Sequence, residues 1–309
     1  MHVHSMHSEI GITTKTHSAS EIMKTYLDCI PCFIKQSLEA ARMVTDDEEV
    51  QAEVLREIMK HLQAISFTNS PPELSREVHE IIRKITGSKD PYKKVKDQSN
   101  EMAKNEYPYL KKLVKDADDS LLMAIKLSIV GNVIDFGTSN RFNVEDMIDV
   151  AMKREIVDDD YPRFKEVLKQ SKSILYLADN TGEIFFDKLL LEEIFDGKKK
   201  ITYVVKANPI INDATMDDAE FAGIDKHAKI IAGDAGQSKS TPGMVLSYAS
   251  KEFLELLKTS DMIISKGQGN YEALSDIDRG VFFLLMVKCP LVANDIGTEM
   301  ARLVLKVKE

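Results

Sequence analysis

The chain has 309 residues, of which 43% are hydrophobic and 29% are charged, a composition that suits a globular protein of about two domains and excludes a disordered or fibrous one. Its formal net charge of -9 disfavours nonspecific binding to nucleic acid, whose phosphates need a basic surface, but leaves room for a small anionic substrate in a local basic pocket. No apolar run approaches the roughly 20 residues that span a bilayer, so we expect no membrane partner.

Residues 1–22 lack the long apolar core of a signal peptide, and we interpret them as a disordered extension outside the folded protein. Cys29 and Cys32 form a C-x-x-C pair at the start of the first predicted helix. Their role stays open between helix packing, redox chemistry and a share in a zinc site. Together with Cys289 they are too few for a secreted disulfide scaffold, which predicts a reducing and therefore cytoplasmic compartment.

Residues 23–170 show the spacing of helices and no strand pattern, which predicts a helical domain. Apolar stripes at three- and four-residue spacing break near Thr45, where a helix cap is expected. The segment SPPELSREVHEIIRKITG opens with prolines and closes at Gly87, the asymmetry expected of helix ends. The most apolar helix is DDSLLMAIKLSIVGNVIDFG, and a further helix is expected over NVEDMIDVAMKRE.

From residue 171 onward, short apolar runs alternate with helical stretches. Strands that alternate with helices predict a mostly parallel sheet covered on both faces, so we expect residues 171–309 to form a Rossmann-like three-layer α/β/α domain. The runs that predict strands are SILYLADN, KITYVVKANP, AKIIAGDAG, DMIISKGQGN, FFLLMVKC, PLVANDIG and ARLVLKV.

Polar side chains follow the predicted strands at their carboxyl ends, where open α/β sheets bind ligands. In chain order the strand ends carry Asp179 and Asn180, then Lys206, Asn208 and Asp213, then Asp234, then Lys266 and Asn270, and finally Asn294 and Asp295. This concentration of Asp, Asn and Lys on one edge is the main chemical signal in the sequence.

Asp179, Asn180 and Asp213 supply hard oxygen ligands of the kind that Mg²⁺ or Mn²⁺ prefers, and the turn at a strand end lets successive side chains converge. Gly182 permits close approach of the backbone, and a helix that begins near Glu183 would direct free amides at an anion. The alternative is that D-N-T-G is only a turn with a helix cap, and that Asp213 is a second cap. Their position at adjacent strand ends favours a metal and phosphate site.

Lys206 and Lys266 each follow an apolar strand, from which an ammonium could reach a phosphate or a developing negative charge. The alternative for either residue is a surface lysine whose stem lies along apolar neighbours. Asn132 and Asp135 lie three residues apart on one face of the most apolar helix. They either satisfy each other or a loop, or they lean over the sheet edge and contact the ligand.

Six segments now form a recognisable series: YLDCIPCFIKQSLEAAR, GNVIDFG, LADNTGEIFFDKLLLEEI, VVKANPIINDATMDDA, SKGQGNYEAL and KCPLVA. In this order they resemble the metal-dependent damage-control phosphatase family, formerly catalogued as domain of unknown function eighty-nine, and the C-x-x-C pair resembles its prokaryotic subfamily. The resemblance extends from about Met23 to the C-terminus. It implies a helical domain joined to a Rossmann-like domain, and divalent-metal-dependent hydrolysis of phosphate esters, including sugar phosphates.

The resemblance also implies roles for individual residues. The family's metal ligands correspond to Asp179, Asn180 and Asp213. Its phosphate-side residues correspond to Asn132, Lys266 and the Gly182 turn, with weaker substrate-binding correspondences at Glu183, Asn208, Asp135 and Asn270. The implied cofactor is one divalent ion, Mn²⁺, Co²⁺, Ni²⁺ or Mg²⁺, and the implied partner is a small phosphorylated metabolite.

We therefore expect a phosphatase that hydrolyses small phosphomonoesters, with a metal-activated water as nucleophile and Lys266, Asn132 and helix-end amides stabilising the transition state. A second mechanism makes Asp179 the nucleophile, but Thr181 stands where haloacid-dehalogenase phosphatases carry a second Asp. An S-adenosylmethionine-dependent carboxyl methyltransferase is the rival enzyme; the single glycine after the first strand and Lys206 after the second count against it. A non-catalytic phosphometabolite-binding protein is the third class, and it would not need three converging metal ligands.

Overall fold

A computed structural model describes residues 23–131, 153–154, 156–157, 160–236 and 240–308. Within these ranges seven strands form one sheet, and helices pack on both of its faces. The α/β fold class predicted from the alternation of strands and helices is therefore confirmed. No helix in these ranges has both the length and the apolar character that crossing a membrane demands.

The sheet changes its winding direction beside its second strand. The strands are β1 (Ile156–Val157), β2 (Ser173–Leu177), β3 (Lys200–Val205), β4 (Lys229–Ala232), β5 (Met262–Lys266), β6 (Val281–Met286) and β7 (Leu303–Lys308). Their order in space is β1-β7-β6-β5-β2-β3-β4, and every neighbouring pair is parallel except β6 with β7. The chain leaves β2 toward β3 and β4, then returns to β5 on the other side. The loops after β2 and β5 therefore diverge and open a crevice between them.

The helices are α1 (Cys29–Val44), α2 (Glu48–Leu62), α3 (Pro71–Thr86), α4 (Lys93–Asp116), α5 (Ser120–Gly131), α6 (Tyr161–Gln170), α7 (Glu183–Ile194), α8 (Met216–Ala222), α9 (Lys251–Thr259), α10 (Gln268–Leu274) and α11 (Pro290–Ile296). Helix α3 has the ends that its sequence predicts. Ser70 and Glu73 form a capping box at its start, and Gly87 ends it with a left-handed φ of 71°.

The helices that precede the sheet pack in two different ways. Helices α1–α3 enclose an apolar cluster of their own, which includes Phe33, Val54, Leu74 and Ile82, and which we call the first helical cluster. Ile211, from the loop after β3, packs against this cluster and has an unusual φ of 45°. Helices α4 and α5 instead belong to the core that covers one face of the sheet, where they contact α7.

Two predicted elements were wrong. Residues 290–296 form a helix rather than the predicted strand, because Pro290 lies at the N-terminal turn, Gly297 ends the segment with a left-handed backbone, and the buried side chains recur at helical spacing. The stretch read as purely helical contains the strand Ile156–Val157, which pairs with β7. Two residues are too few to show the alternation by which a strand is recognised.

Candidate active site

The loops after β2 and β3 bring together the three predicted metal ligands. Asn180 and Asp213 form an isolated antiparallel backbone bridge, and the Ala214 amide donates to the carbonyl of Asp179 over 2.8 Å. Asp179, Asn180 and Asp213 therefore lie on two paired segments at the carboxyl edge of the sheet, beside the crevice between β2 and β5.

The Asp179 carboxylate packs directly against Gly267 at the end of β5. Gly267 has a φ of 78°, and a Cβ at this position would overlap the Asp179 carboxylate. Only glycine combines that backbone conformation with that space. Gly267 was not among the predicted site residues, although the two glycines of SKGQGN indicated a close backbone approach.

The Asn180 side chain is oriented by two acidic neighbours. Its Nδ2 donates to Asp179 Oδ2 over 2.8 Å and to Glu183 Oε2 over 3.2 Å. An amide nitrogen has two protons, and these two acceptors use both of them. The amide oxygen is the end of the side chain that remains for a cation.

Asp213 carries a buried oxygen that lacks a hydrogen bond. The residue is only 3% exposed, and Oδ2 has no hydrogen-bond partner. Lys206 Nζ lies 3.6 Å from this oxygen and donates a hydrogen bond to the Gly243 carbonyl over 2.8 Å. Burial raises the pKa of Asp213 to about 6, against the opposing effects of Lys206 and Lys96. A buried carboxylate oxygen in this state is a suitable ligand for a cation.

Lys266 does not face an open pocket, contrary to the prediction. The side chain is fully buried, and Nζ donates to the Ser128 carbonyl over 2.8 Å and to Glu183 Oε1 and Asp187 Oδ1 over 2.6 Å each. The three protons of the ammonium are thus all donated within the protein, which leaves none for a phosphate.

The backbone amides of the Gly182 turn, which we expected near a bound anion, also donate to protein groups. The Gly182 amide donates to Asn100 Oδ1 over 2.8 Å, and the Thr181 amide donates to the Asn212 carbonyl over 2.9 Å. The Asn180 amide donates to Glu183 Oε2 over 3.3 Å. These backbone donors hold the turn together rather than pointing at a ligand.

The remaining predicted substrate residues lie in different places. Asn270 is buried, donates from Nδ2 to the carbonyls of Ala178 and Lys266, and leaves Oδ1 without a partner. Asn208 has a buried Nδ2 without a partner and lines a cavity of about 670 Å³ with Arg83, Lys84 and Lys89. Asn132 and Asp135 lie outside the described residues.

Three further residues at this edge were not predicted. Asn100, on α4, contacts Gly182 and also donates to Asp218 over 2.8 Å. Lys96, one turn before it, is buried with its ammonium 2.9 Å from Asp90. Asp187 lies one turn after Glu183 on α7, and its i, i+4 spacing in EIFFD was the available signal. No local pattern connects α4 with a turn some eighty residues later.

The charges at this edge suit a divalent cation. Three ammonium groups, those of Lys96, Lys206 and Lys266, are grouped with five carboxylates, those of Asp90, Asp179, Glu183, Asp187 and Asp213. When these eight groups are ionised, the carboxylates outnumber the ammonium groups, which favours a cation over an anion at this edge. In the described part of the chain no three His, Cys, Asp or Glu side chains form a metal cluster, so the fit depends on two carboxylates and the Asn180 amide.

Comparison with known proteins agrees with the resemblance carried by the six segments. The model of the damage-control phosphatase ARMT1-like domain matches residues 25–304. A damage-control phosphatase from Archaeoglobus fulgidus is 36% identical to this chain, with 91% of this chain and 98% of the relative covered. A damage-control phosphatase from Pyrococcus horikoshii is 35% identical, with 91% and 97% covered.

The fold has a counterpart among solved structures. The crystal structure of a DUF89 family protein from Pyrococcus horikoshii is similar to this one with a TM-score of 0.85 and 32% sequence identity. The similarity covers 93% of this chain and 100% of that chain. The predicted family is confirmed: the chain belongs to the damage-control phosphatases with an ARMT1-like domain.

Proposed function

We propose that the protein is a divalent-metal-dependent phosphatase that hydrolyses small phosphomonoesters, such as sugar phosphates or related damaged phosphometabolites. Membership of the family supports phosphatase chemistry. The observation that supports the metal dependence is the buried Oδ2 of Asp213, which accepts no hydrogen bond and lies on the segment paired with Asn180.

Three side chains would hold the ion: Asp179 and Asp213 through carboxylate oxygens and Asn180 through its amide oxygen. A bound divalent ion supplies Lewis-acid polarisation of a phosphoryl oxygen and an activated water. Asp179 and Glu183 accept both amide protons of Asn180, which leaves its oxygen as the end that could bind the ion. Gly267 leaves the space in which the Asp179 carboxylate is held.

The negative charge that develops on the phosphoryl group in the transition state is stabilised by fixed positive charges and hydrogen-bond donors nearby. Lys206 is the cation that lies beside Asp213, and it takes the electrostatic role that we first gave to Lys266. The cavity lined by Asn208 and Arg83 is a suitable place for the rest of a small polar substrate, since it joins an unpartnered amide donor to basic side chains.

A water nucleophile fits Asp179 better than an aspartyl-phosphate route. Asp179 Oδ2 accepts a hydrogen bond from Asn180 Nδ2, and the Asp179 carboxylate is confined against Gly267. A nucleophilic carboxylate needs one oxygen free to attack in line with the leaving group. The Asp179 carboxylate is therefore better suited to act as a metal ligand in a fixed position than as a nucleophile.

Phosphate release from a panel of phosphate esters tests the proposal. The purified protein is assayed with Mn²⁺, Co²⁺, Ni²⁺ or Mg²⁺, before and after EDTA, beside the variant Asp179→Ala. We expect metal-dependent turnover that EDTA and Asp179→Ala abolish and that Asp196→Ala, a substitution at an exposed carboxylate in the loop before β3, leaves unchanged. Turnover that persists after EDTA and in Asp179→Ala would refute the metal dependence. Methyl transfer from S-adenosylmethionine without phosphate release would favour the rival enzyme class.

A further inference from the structure

A fully buried ion cluster lies directly behind the candidate metal ligands. It consists of Lys266, Glu183 and Asp187, all of them at 0% exposure. Lys266 Nζ is 2.6 Å from one oxygen of each carboxylate. Asp187 also accepts from the hydroxyls of Tyr176 and Tyr203 over 2.8 and 2.7 Å.

This cluster is not a simple stabilising ion pair. One ammonium faces two carboxylates, and burying such charges costs several kcal/mol before their attraction is counted. Burial raises the pKa of Asp187 and opposes the charged form of Lys266, but the two carboxylates more than offset this and raise the pKa of Lys266. A buried cluster of this kind is weak evidence for added stability, so its contacts with neighbouring residues are the feature to explain.

Glu183 connects the cluster to the ligand residues, because its two oxygens face different partners. Oε1 accepts from Lys266, whereas Oε2 accepts from both the backbone amide and the side-chain Nδ2 of Asn180. Asn180 Nδ2 then donates its other proton to Asp179 Oδ2. A continuous chain of hydrogen bonds therefore runs from Lys266 through Glu183 and Asn180 to Asp179.

We infer that Glu183 is a positioning residue for the metal: clamped by Lys266, it accepts an amide proton of Asn180 and so turns the Asn180 oxygen, rather than its nitrogen, toward the cation. This inference rests on the proposed metal dependence. Its physical basis is that an amide has one ligating end and one donating end of nearly equal shape, so a neighbour that only accepts decides which end points outward.

The same logic predicts what a neutral amide at this position would do. In Glu183→Gln, the new oxygen is drawn to the Lys266 ammonium, and the new nitrogen faces the donors of Asn180. Two donors then face each other. The Asn180 amide either keeps its orientation with this contact unfavourable or flips, which turns its nitrogen toward the cation and its oxygen toward Asp179 Oδ2, and either state weakens cation binding. The shape of the side chain is conserved, so the loss is in orientation rather than packing.

Mn²⁺ affinity, measured by isothermal titration calorimetry without substrate, tests this inference. We expect Glu183→Gln to weaken Mn²⁺ binding by roughly 10- to 100-fold, the range for a residue that orients a ligand. Its activity should recover in part when Mn²⁺ is raised, since the chemistry at the bound ion is intact. The matched control is Glu272→Gln, a half-buried glutamate on α10 whose side chain contacts Gln268; its Mn²⁺ affinity should equal that of the wild type.

A double variant that exchanges the donor at residue 180 for an acceptor, and the acceptor at residue 183 for a donor, distinguishes a positioning role of Glu183 from structural damage. In the Asn180→Asp background the side chain has no amide protons to donate, and Glu183 keeps only the backbone amide of residue 180 while it faces a second carboxylate. Adding Glu183→Gln there supplies a donor to that carboxylate, so we expect the double variant to bind Mn²⁺ about tenfold more tightly than Glu183→Gln alone and more tightly than Asn180→Asp. A substitution that only damages the fold would weaken both backgrounds.

The outcomes are distinguishable. If the wild type binds no divalent ion, the proposed metal dependence fails and this inference fails with it. If the wild type binds Mn²⁺ and Glu183→Gln binds it equally well, the positioning role alone is overturned. Should Glu183→Gln not fold, as judged by circular dichroism, the pair Asn180→Asp and Asn180→Asp/Glu183→Gln decides: a gain in affinity supports the inference and no gain overturns it.

Discussion

Replacing Gly267 with alanine isolates the contact that confines the Asp179 carboxylate. Gly267 has a φ of 78° and a ψ of 164°, a backbone region open essentially only to glycine, so a non-glycine residue there costs about 1–3 kcal/mol. Gly297 has a similar φ of 84°, but a Cβ there would meet no atom within 4 Å. Both substitutions therefore carry the strain of a positive φ, which is greater at Gly267 because its ψ of 164° lies outside the left-handed helical region that Gly297 occupies with a ψ of 33°. Only Gly267→Ala also pushes against a candidate ligand.

Stability and activity should respond differently to the two variants. Each substitution should lower the melting temperature by about 2–4 °C for each kcal/mol lost. Gly267→Ala must also move the Asp179 carboxylate, and a shift of about 1 Å in a reacting arrangement lowers the rate roughly 100-fold. We expect Gly297→Ala to keep nearly full phosphatase activity and Gly267→Ala to lose about two orders of magnitude.

The assay is kcat/KM at saturating Mn²⁺, measured beside thermal unfolding of both variants. Mn²⁺ affinity should fall in Gly267→Ala and stay constant in Gly297→Ala. Equal activity in the two variants would refute the reasoning, because it would mean that the Asp179 position does not matter for turnover.

Three further measurements test other parts of the structure. Mn²⁺ at about 100 times its dissociation constant should stabilise the wild type by about 2.7 kcal/mol in thermal unfolding, and Asp213→Asn should lose most of this gain. Tyr203→Phe removes a hydrogen bond to the buried Asp187 carboxylate and should cost about 1–3 kcal/mol in urea unfolding, whereas Tyr26→Phe, at a 46% exposed side chain, should cost nothing measurable. Burial raises the pKa of Glu272 from 4.5 to about 7, so the stability contributed by its neutral form is present below pH 4.5 and is lost as the pH rises through about 7. The wild type should therefore lose up to about 3 kcal/mol relative to Glu272→Gln over that interval, and a pH-independent difference in urea unfolding would contradict this.

The pattern of the sequence identifies the fold and the edge that carries the site, because both follow from local signals. Helix α3 begins and ends at residues whose preferences are local, and Asp179 and Asp213 follow strands that their apolar runs reveal. The pairing of Asn180 with Asp213 then follows from β2 and β3 being neighbours.

The direction in which a polar side chain points was less predictable. Lys266 ends an apolar strand, as expected, yet it turns inward because Glu183 and Asp187 on α7 offer it two buried carboxylates. The amide of Gly182 is taken by Asn100, which comes from a helix about eighty residues earlier. Such partners depend on how α4 and α7 pack on the sheet, and no periodicity in a single segment contains that information.

Ile211 connects the candidate metal ligand Asp213 with helices α1–α3, which carry none of the proposed metal ligands. Two residues before Asp213, it is held in a strained backbone conformation by its packing on the first helical cluster, and Arg83 of α3 donates to the Pro209 carbonyl in the same loop over 3.4 Å. If Asp213 holds the proposed metal, a substrate that shifts α1–α3 together with this loop links the substrate and metal affinities, and each alters the other by the same factor. Exchanging these helices between relatives should therefore change the affinity for Mn²⁺, although none of the three helices carries a proposed metal ligand.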